Sequence, residues 1–267
     1  MKEYTGFASV YDMFMDNVPY DEWAVYIHDL LVKRGIDKGI ILELGCGTGR
    51  MTRKLRDFGY DMIGVDISQE MLDIAIRQEK KGVAGEILYL NQDMREFELY
   101  GTVAAIICIC DGMNYITEKE DLLKVFRLVN NYLDPNGVFI FDMNTPYYYN
   151  NILGEKSICE NRDEGSLIWE NYYDSETKIN EFDITIYIRK NSVKKNSAAN
   201  GEKEEADYVR MEETHYQKAY SQKEVVSLIK KAGLKDVEIF EALTSDPPGK
   251  RTERVYYISR ESGKNIV

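Results

Sequence analysis

The densest chemical signal in the chain is Glu43-Leu44-Gly45-Cys46-Gly47-Thr48-Gly49. It completes a short apolar run, Gly39-Ile40-Ile41-Leu42-Glu43-Leu44, of the continuous kind that marks a strand buried on both faces. Glycines at such a strand end let the backbone approach a ligand at the carboxyl edge of a parallel sheet. The next acidic residue at a strand end is Asp66, where a carboxylate accepts hydrogen bonds from ribose hydroxyls. A dinucleotide fingerprint, Gly-x-Gly-x-x-Gly, would need glycine at position 50, and the chain has Arg50 there. The spacing is Gly-x-Gly-x-Gly instead. A tight turn with no ligand, or a site for another nucleotide, competes with a nucleoside-type ligand at this point.

The elements that must position these residues alternate. Helical spacing covers residues 7–34, broken near Pro19 and ended at Gly35. Strands are expected at 39–44, 61–66, 87–90, 103–110 and 138–142, with helices at 48–58, from Ser68 through Ile76, and at 120–132. Alternation of this kind, with apolar strands, means a parallel sheet covered on both faces and wound right-handedly. After Pro146 the pattern changes to antiparallel strands over 147–220, where Phe182, Ile184, Ile186 and Ile188 alternate with polar partners. Lys190–Ala206, rich in Lys, Asn, Ser, Ala and Glu, reads as a hairpin tip. Ser221 with Glu224 three positions on opens a last helix, and strands at 237–240 and 254–258 can complete the sheet as a hairpin.

The chain has 267 residues, 44% hydrophobic and 30% charged, the balance of a globular protein. Lys and Arg number 34 against 46 Asp and Glu, a net charge of −12. That charge argues against a nucleic-acid backbone or an anionic membrane surface as partner. No apolar stretch is long enough to span a bilayer. The four cysteines are too few for a disulfide scaffold, and Cys46, Cys108 and Cys110 sit in apolar surroundings. Cys108-x-Cys110 lacks metal spacing and the chain has two histidines, so no metal site is expected. A cytoplasmic protein is expected.

The glycine motif in its strand-loop-helix setting resembles motif I of class I S-adenosylmethionine-dependent methyltransferases. The resemblance covers about 40–145 and 221–267. It implies a doubly wound α/β fold with a mainly parallel seven-stranded sheet (Rossmann-like) and an inserted antiparallel β lid. The cofactor domain would comprise 1–146 and 220–267, and the lid 147–219. S-adenosyl-L-methionine would be the methyl donor, held by Gly45, Cys46, Gly47 and Gly49. Asp66 would take the ribose, Ile67 and Met94 the adenine faces, and Asp93 the adenine amino group. Cys110 and Asp111 would line the methionine moiety and the acceptor, with Glu43 either a backbone or amine organiser near the methionine end or a capped structural carboxylate. The segment Phe7-Ala8-x-Val10-Tyr11-Asp12 resembles one that closes over the cofactor in small-molecule members, with Tyr4 and Tyr11 as candidate contacts.

Methyl transfer from a sulfonium needs alignment and a dry site more than it needs a covalent nucleophile. A proton must leave if the acceptor is a hydroxyl or a charged amine. His215, in Glu212-Glu213-Thr214-His215-Tyr216, is the near-neutral base candidate, since His28 falls on a charged helix face. Tyr147, with Tyr148 and Tyr149, is expected to wall the acceptor site, and Trp169, Tyr172 or His215 to face it from the lid. The resemblance is to the group containing glycine N-methyltransferase and the amino-sugar N,N-dimethyltransferases. It implies a small-molecule acceptor methylated on nitrogen or oxygen. A protein or tRNA acceptor, or a non-catalytic S-adenosylmethionine-binding module, are the alternatives. The apolar strand face of the insertion is a candidate homodimer surface.

Overall fold

The computed structural model describes residues 7–79, 87–190 and 207–263. Tyr4 and the stretch 191–206 lie outside the described residues. Two sheets organise the chain. Strands β1 (Ile40–Leu44), β2 (Asp61–Asp66), β3 (Leu88–Asn91), β4 (Val103–Cys108) and β5 (Leu133–Asn144) pair in parallel in the order β3-β2-β1-β4-β5. Strands β10 (Lys235–Glu241) and β11 (Arg254–Arg260) extend it, β11 lying antiparallel to both β5 and β10. The seven strands are covered on both faces. Helices α2 (Tyr20–Val32) and α3 (Arg50–Asp57) bury Trp23, Ile27, Leu31 and Leu55 against Ile41, Ile107 and Ile140. Helices α5 (Lys119–Tyr132) and α6 (Gln222–Lys231) bury Leu122, Phe126, Val225 and Ile229 against Leu42, Ile106, Phe139 and Val255. This is the expected doubly wound architecture.

Local signals set the element ends. Ser68 caps α4 (Gln69–Arg77), accepting from the Met71 amide at 3.2 Å. Ser221 and Glu224 form a reciprocal capping box at α6, as their spacing predicts. Strand β5 starts earlier than its apolar run because Leu133 already pairs with Val103. The Asp134–Gly137 turn sits as an irregularity before the register resumes at Val138.

The second sheet has the order β6-β7-β8-β9, all antiparallel, from β6 (Ser157–Asn161), β7 (Gly165–Asp174), β8 (Ile179–Arg189) and β9 (Tyr208–Lys218). The region is not strand throughout: Tyr148–Leu153 forms a turn of π-helix before β6. The inner face of this sheet, with Leu167, Trp169, Phe182, Ile184 and Ile186, packs on Phe7, Val10 and Phe14 of the N-terminal segment, which includes α1 (Ala8–Phe14). Helix α1 is thus pressed between the inserted sheet and the core. Asp12 on α1 accepts from Thr48 of the glycine loop at 2.7 Å and from Gln78, just past α4, at 2.8 Å. No helix among the described residues is long and apolar enough to cross a membrane.

Candidate active site

The carboxyl ends of β1, β2, β3 and β4 converge on a cavity of about 470 Å³, at the point where the strand order reverses. Its lining includes Gly45 and Gly47 after β1, Asp66 and Ile67 at β2, Asp93 and Met94 after β3, and Cys110 and Gly112 after β4. Tyr11 of α1 and Tyr115 close it. A second, smaller cavity adjoins it, sharing Tyr11, Gly45, Gly47 and Cys110, and adds Tyr20, Glu43, Cys46 and Arg50.

The glycine loop shows why its residues are glycine. Gly47 has φ +54°, and a Cβ built there would meet nothing within 4 Å: it would project into open space at the cavity wall. Gly49 (φ +73°) serves packing instead. A Cβ there would overlap the Tyr89 hydroxyl and lie 3.1 Å from Ala75. Of the three glycines, Gly49 alone lines neither cavity.

Asp66 braces the loop. Its Oδ2 accepts from the Gly47 amide at 2.7 Å and its Oδ1 from the Ser68 amide at 2.9 Å. A carboxylate is an acceptor that suits a ligand hydroxyl. Ile67 beside it is half exposed at the cavity rim. Asp93 also lines the cavity, but its carboxylate accepts from Arg95, through the amide at 2.8 Å and through the guanidinium. Burial pushes the Asp93 carboxyl up, and the Arg95 contacts outweigh that, holding it below the usual range.

Glu43 is buried at the base of the second cavity, where Thr52 donates to its Oε2. Burial, reinforced by nearby Asp66, pushes its carboxyl up to about 8. Tyr20 carries Arg50 over its ring at 4.4 Å and shares the second cavity's lining with Cys110 and Tyr11. Burial pushes the Cys110 thiol up to about 12, with Asp111 adding to the effect.

Asp111 is placed behind the cavity wall. It accepts from Arg254 at 2.8 Å and from Gln217 of β9 at 2.7 Å. Arg254 also pairs with Asp142, fully buried on β5. Nothing in the local sequence around 111 points to a partner at 254. His215 lies on the inner face of the second sheet, 1% exposed, stacked on Phe182 at 5.1 Å and edge-on to Tyr115 at 5.9 Å. Glu213 Oε2 is 3.3 Å from its Nε2. Tyr115 separates it from the cavity. Tyr147 starts the π-helical turn, half-buried and outside both linings. Tyr149 is the buried tyrosine of the three, donating to Gln217 at 2.9 Å. Trp169 stacks on Phe182, and Tyr172 faces outward, 55% exposed, so neither these two nor His215 lines a cavity, contrary to the expectation that one of them faces the pocket. His28 is not on a purely charged face: it stacks on Phe58 at 4.3 Å and meets the Tyr60 hydroxyl at 3.0 Å. Among the described residues no cluster of His, Cys, Asp and Glu is placed to hold a metal.

An open glycine cradle, a carboxylate at the second strand tip and flat apolar walls from Ile67, Met71 and Met94 define a nucleoside-ligand site of the Rossmann type. The comparisons with known proteins narrow this. Residues 41–137 match the methyltransferase domain family. YqeM of Bacillus subtilis (strain 168), named as a methyltransferase, is 31% identical over 265 residues, covering 99% of each chain. The dTDP-3-amino-3,4,6-trideoxy-alpha-D-glucopyranose N,N-dimethyltransferase of Streptomyces venezuelae is 28% identical over 138 residues, 51% of this chain and 56% of that protein. The crystal structure of an S-adenosylmethionine-dependent methyltransferase from Clostridium acetobutylicum ATCC 824 superposes with a TM-score of 0.81 at 27% identity, covering 96% of this chain and 98% of that one. The chain belongs to the S-adenosylmethionine-dependent methyltransferases.

Proposed function

We propose that the protein transfers a methyl group to a nitrogen, or else an oxygen, of a small-molecule acceptor, and that the two joined cavities hold S-adenosylmethionine. The observation that carries the reading is the glycine cradle opening onto a cavity lined by Asp66, with Glu43 in the adjoining one. When bound, the cofactor supplies a methyl group already activated by a sulfonium.

The chain's own residues then have three tasks. The first is holding the donor. Asp66 accepts from the ribose hydroxyls, Ile67 and Met94 cover the adenine, and Asp93 stands at its edge. Glu43, Arg50 and Tyr20 surround the space for the amino-acid end, with Cys46 beside them. The second is exclusion of water, which Tyr11, Tyr115 and α1 perform by closing the cavity under the inserted sheet. The third is the acceptor. The segment 147–219 is the lid on this reading, and Tyr147 and His215 are its acceptor-side candidates. A neutral amine needs no base; a hydroxyl or ammonium must lose a proton, and His215, behind Tyr115, is the candidate to take it. Amine methylation comes first because the relative from Streptomyces venezuelae is named for an amino sugar, and because a net charge of −12 suits a cationic acceptor. The same charge disfavours tRNA.

The test is transfer of an isotope-labelled methyl group to fractionated pools of metabolites bearing amines or hydroxyls, with the products identified by mass spectrometry. An N-methylated small molecule is expected. Labelling confined to protein or RNA fractions would contradict the reading.

A further inference from the structure

Two consecutive non-glycine residues at the end of β4, Cys110 (φ 71°) and Asp111 (φ 53°), have left-handed backbone conformations. Side chains disfavour that region, and such residues stay there only where the surroundings hold them. Here the surroundings are specific. The Asp111 amide donates to Asp142 Oδ2 at 3.1 Å, and its carboxylate accepts from Arg254 on one oxygen and Gln217 on the other. Arg254 bridges Asp111 and Asp142 and lies 5.2 Å over the Trp23 ring. The Gln217 amide is fixed in turn by the Tyr149 hydroxyl.

The same turn meets the end of β9 twice more. Asn114 donates to the Lys218 carbonyl at 2.8 Å and accepts from the Asn144 amide at 3.0 Å. Tyr115 packs edge-on to His215. Cys110, Gly112 and Tyr115 are cavity wall, whereas Arg254 and Asp111 line neither cavity. A residue pair outside the site therefore fixes the shape of one wall and ties it to β9.

We infer that Arg254 and Asp111 are positioning residues for methyl transfer: they hold the Cys110–Asp111 corner in its left-handed shape and so register the cavity wall with the last residues of β9. This rests on the reading that the cavity takes S-adenosylmethionine. A shift of β9 reaches Cys110 through Gln217 and Asp111.

The experiment uses the full chain carrying Cys159→Ser, which removes the exposed thiol and leaves Cys46 and Cys108 buried. The readouts are the rate of Cys110 alkylation by iodoacetamide, the affinity for S-adenosylhomocysteine by calorimetry, and the Tm. Arg254→Met strips buried Asp142 of its cation and puts folding at stake, so the decisive variants leave that pair intact. Asp111→Gly tolerates the backbone but lacks the carboxylate. It should speed alkylation and weaken S-adenosylhomocysteine, each by about tenfold, as loss of a charged hydrogen-bond anchor implies. Asp111→Asn, which tolerates the left-handed region and keeps an acceptor for Arg254 but meets the Gln217 amide with a donor, should fall between the parent and Asp111→Gly in both readouts. Gln217→Leu should also speed alkylation. If folded Asp111→Gly leaves both alkylation and affinity unchanged, whatever its Tm, the inference is overturned. If the parent itself does not bind S-adenosylhomocysteine, the cofactor reading falls, and the alkylation rates still decide whether Asp111 holds the corner.

Discussion

The two sheets contribute to the site in opposite ways. In the parallel sheet, position in the topology does most of the work: four adjacent strands end at one edge, and each places two or more residues on the cavity. In the inserted sheet no strand residue lines either cavity. Its influence passes through intermediaries, namely α1, Tyr115 and the Asp111 corner. Ligand contacts made by backbone and strand tips follow from fold alone. Contacts made through packing depend on partners far apart in sequence. Substitutions in the two regions should therefore separate binding from turnover.

The largest separation is expected at His215. His215→Phe preserves the stack on Phe182. If the ring is the base, single-turnover methyl transfer should fall about 10²–10⁴-fold with cofactor affinity unchanged. Turnover near that of the parent would make His215 a packing residue that fixes Tyr115. Within the parallel region, Gly49→Ala should lower stability by about 3 kcal/mol in urea denaturation, because the added methyl meets Tyr89 in a backbone region already unfavourable to it. Gly47→Ala meets no atom and should cost about 1 kcal/mol, with its main effect on cofactor affinity. Equal destabilisation by the two would erase the distinction between packing and cradle glycines.

Glu43 gives a pH signature to the parallel region. Its carboxyl is raised from an ordinary 4.5 to about 8 in the folded state. Between those values the folded protein holds a proton that the unfolded chain has released, so this group's contribution to stability shrinks as pH rises. Tm should therefore fall across that window in the parent and fall less in Glu43→Gln. A parallel decline in both would assign the effect elsewhere. The smallest effect belongs to the hairpin joining β6 to β7, where Arg162 grips Asp16 with two hydrogen bonds of 2.6 and 2.8 Å. Arg162→Ala should leave the Tm nearly unchanged, since the pair is partly exposed and screened by solvent.

How much of this was legible in the sequence follows the same division. The glycine motif, the strand-helix alternation, the capping box at Ser221 and the closing hairpin of β10 and β11 all have local signatures of period, punctuation or spacing. Strand β6 had none, because Ser157–Asn161 is mostly exposed and lacks an alternating pattern. The π-helical turn at 148–153 lacks one too, following three adjacent tyrosines. The pairing of Asp111 with Arg254 and Gln217, and the stacking of His215 between Phe182 and Tyr115, join residues that only the tertiary fold brings together. Asp93 was legible as a strand-end carboxylate, yet the Arg95 grip on it was not, although the two stand two positions apart.

The central claim, that the cavity at the glycine cradle is the S-adenosylmethionine site, is tested most directly by calorimetric titration of the parent and Asp66→Ala with S-adenosylmethionine. Removing that carboxylate takes away the ribose acceptor and the brace on Gly47 and Ser68 together. The parent should bind with a single saturable site, and Asp66→Ala should bind at least about tenfold more weakly, in keeping with the loss of charge-assisted hydrogen bonds. A folded Asp66→Ala that binds as tightly as the parent would contradict the placement of the site.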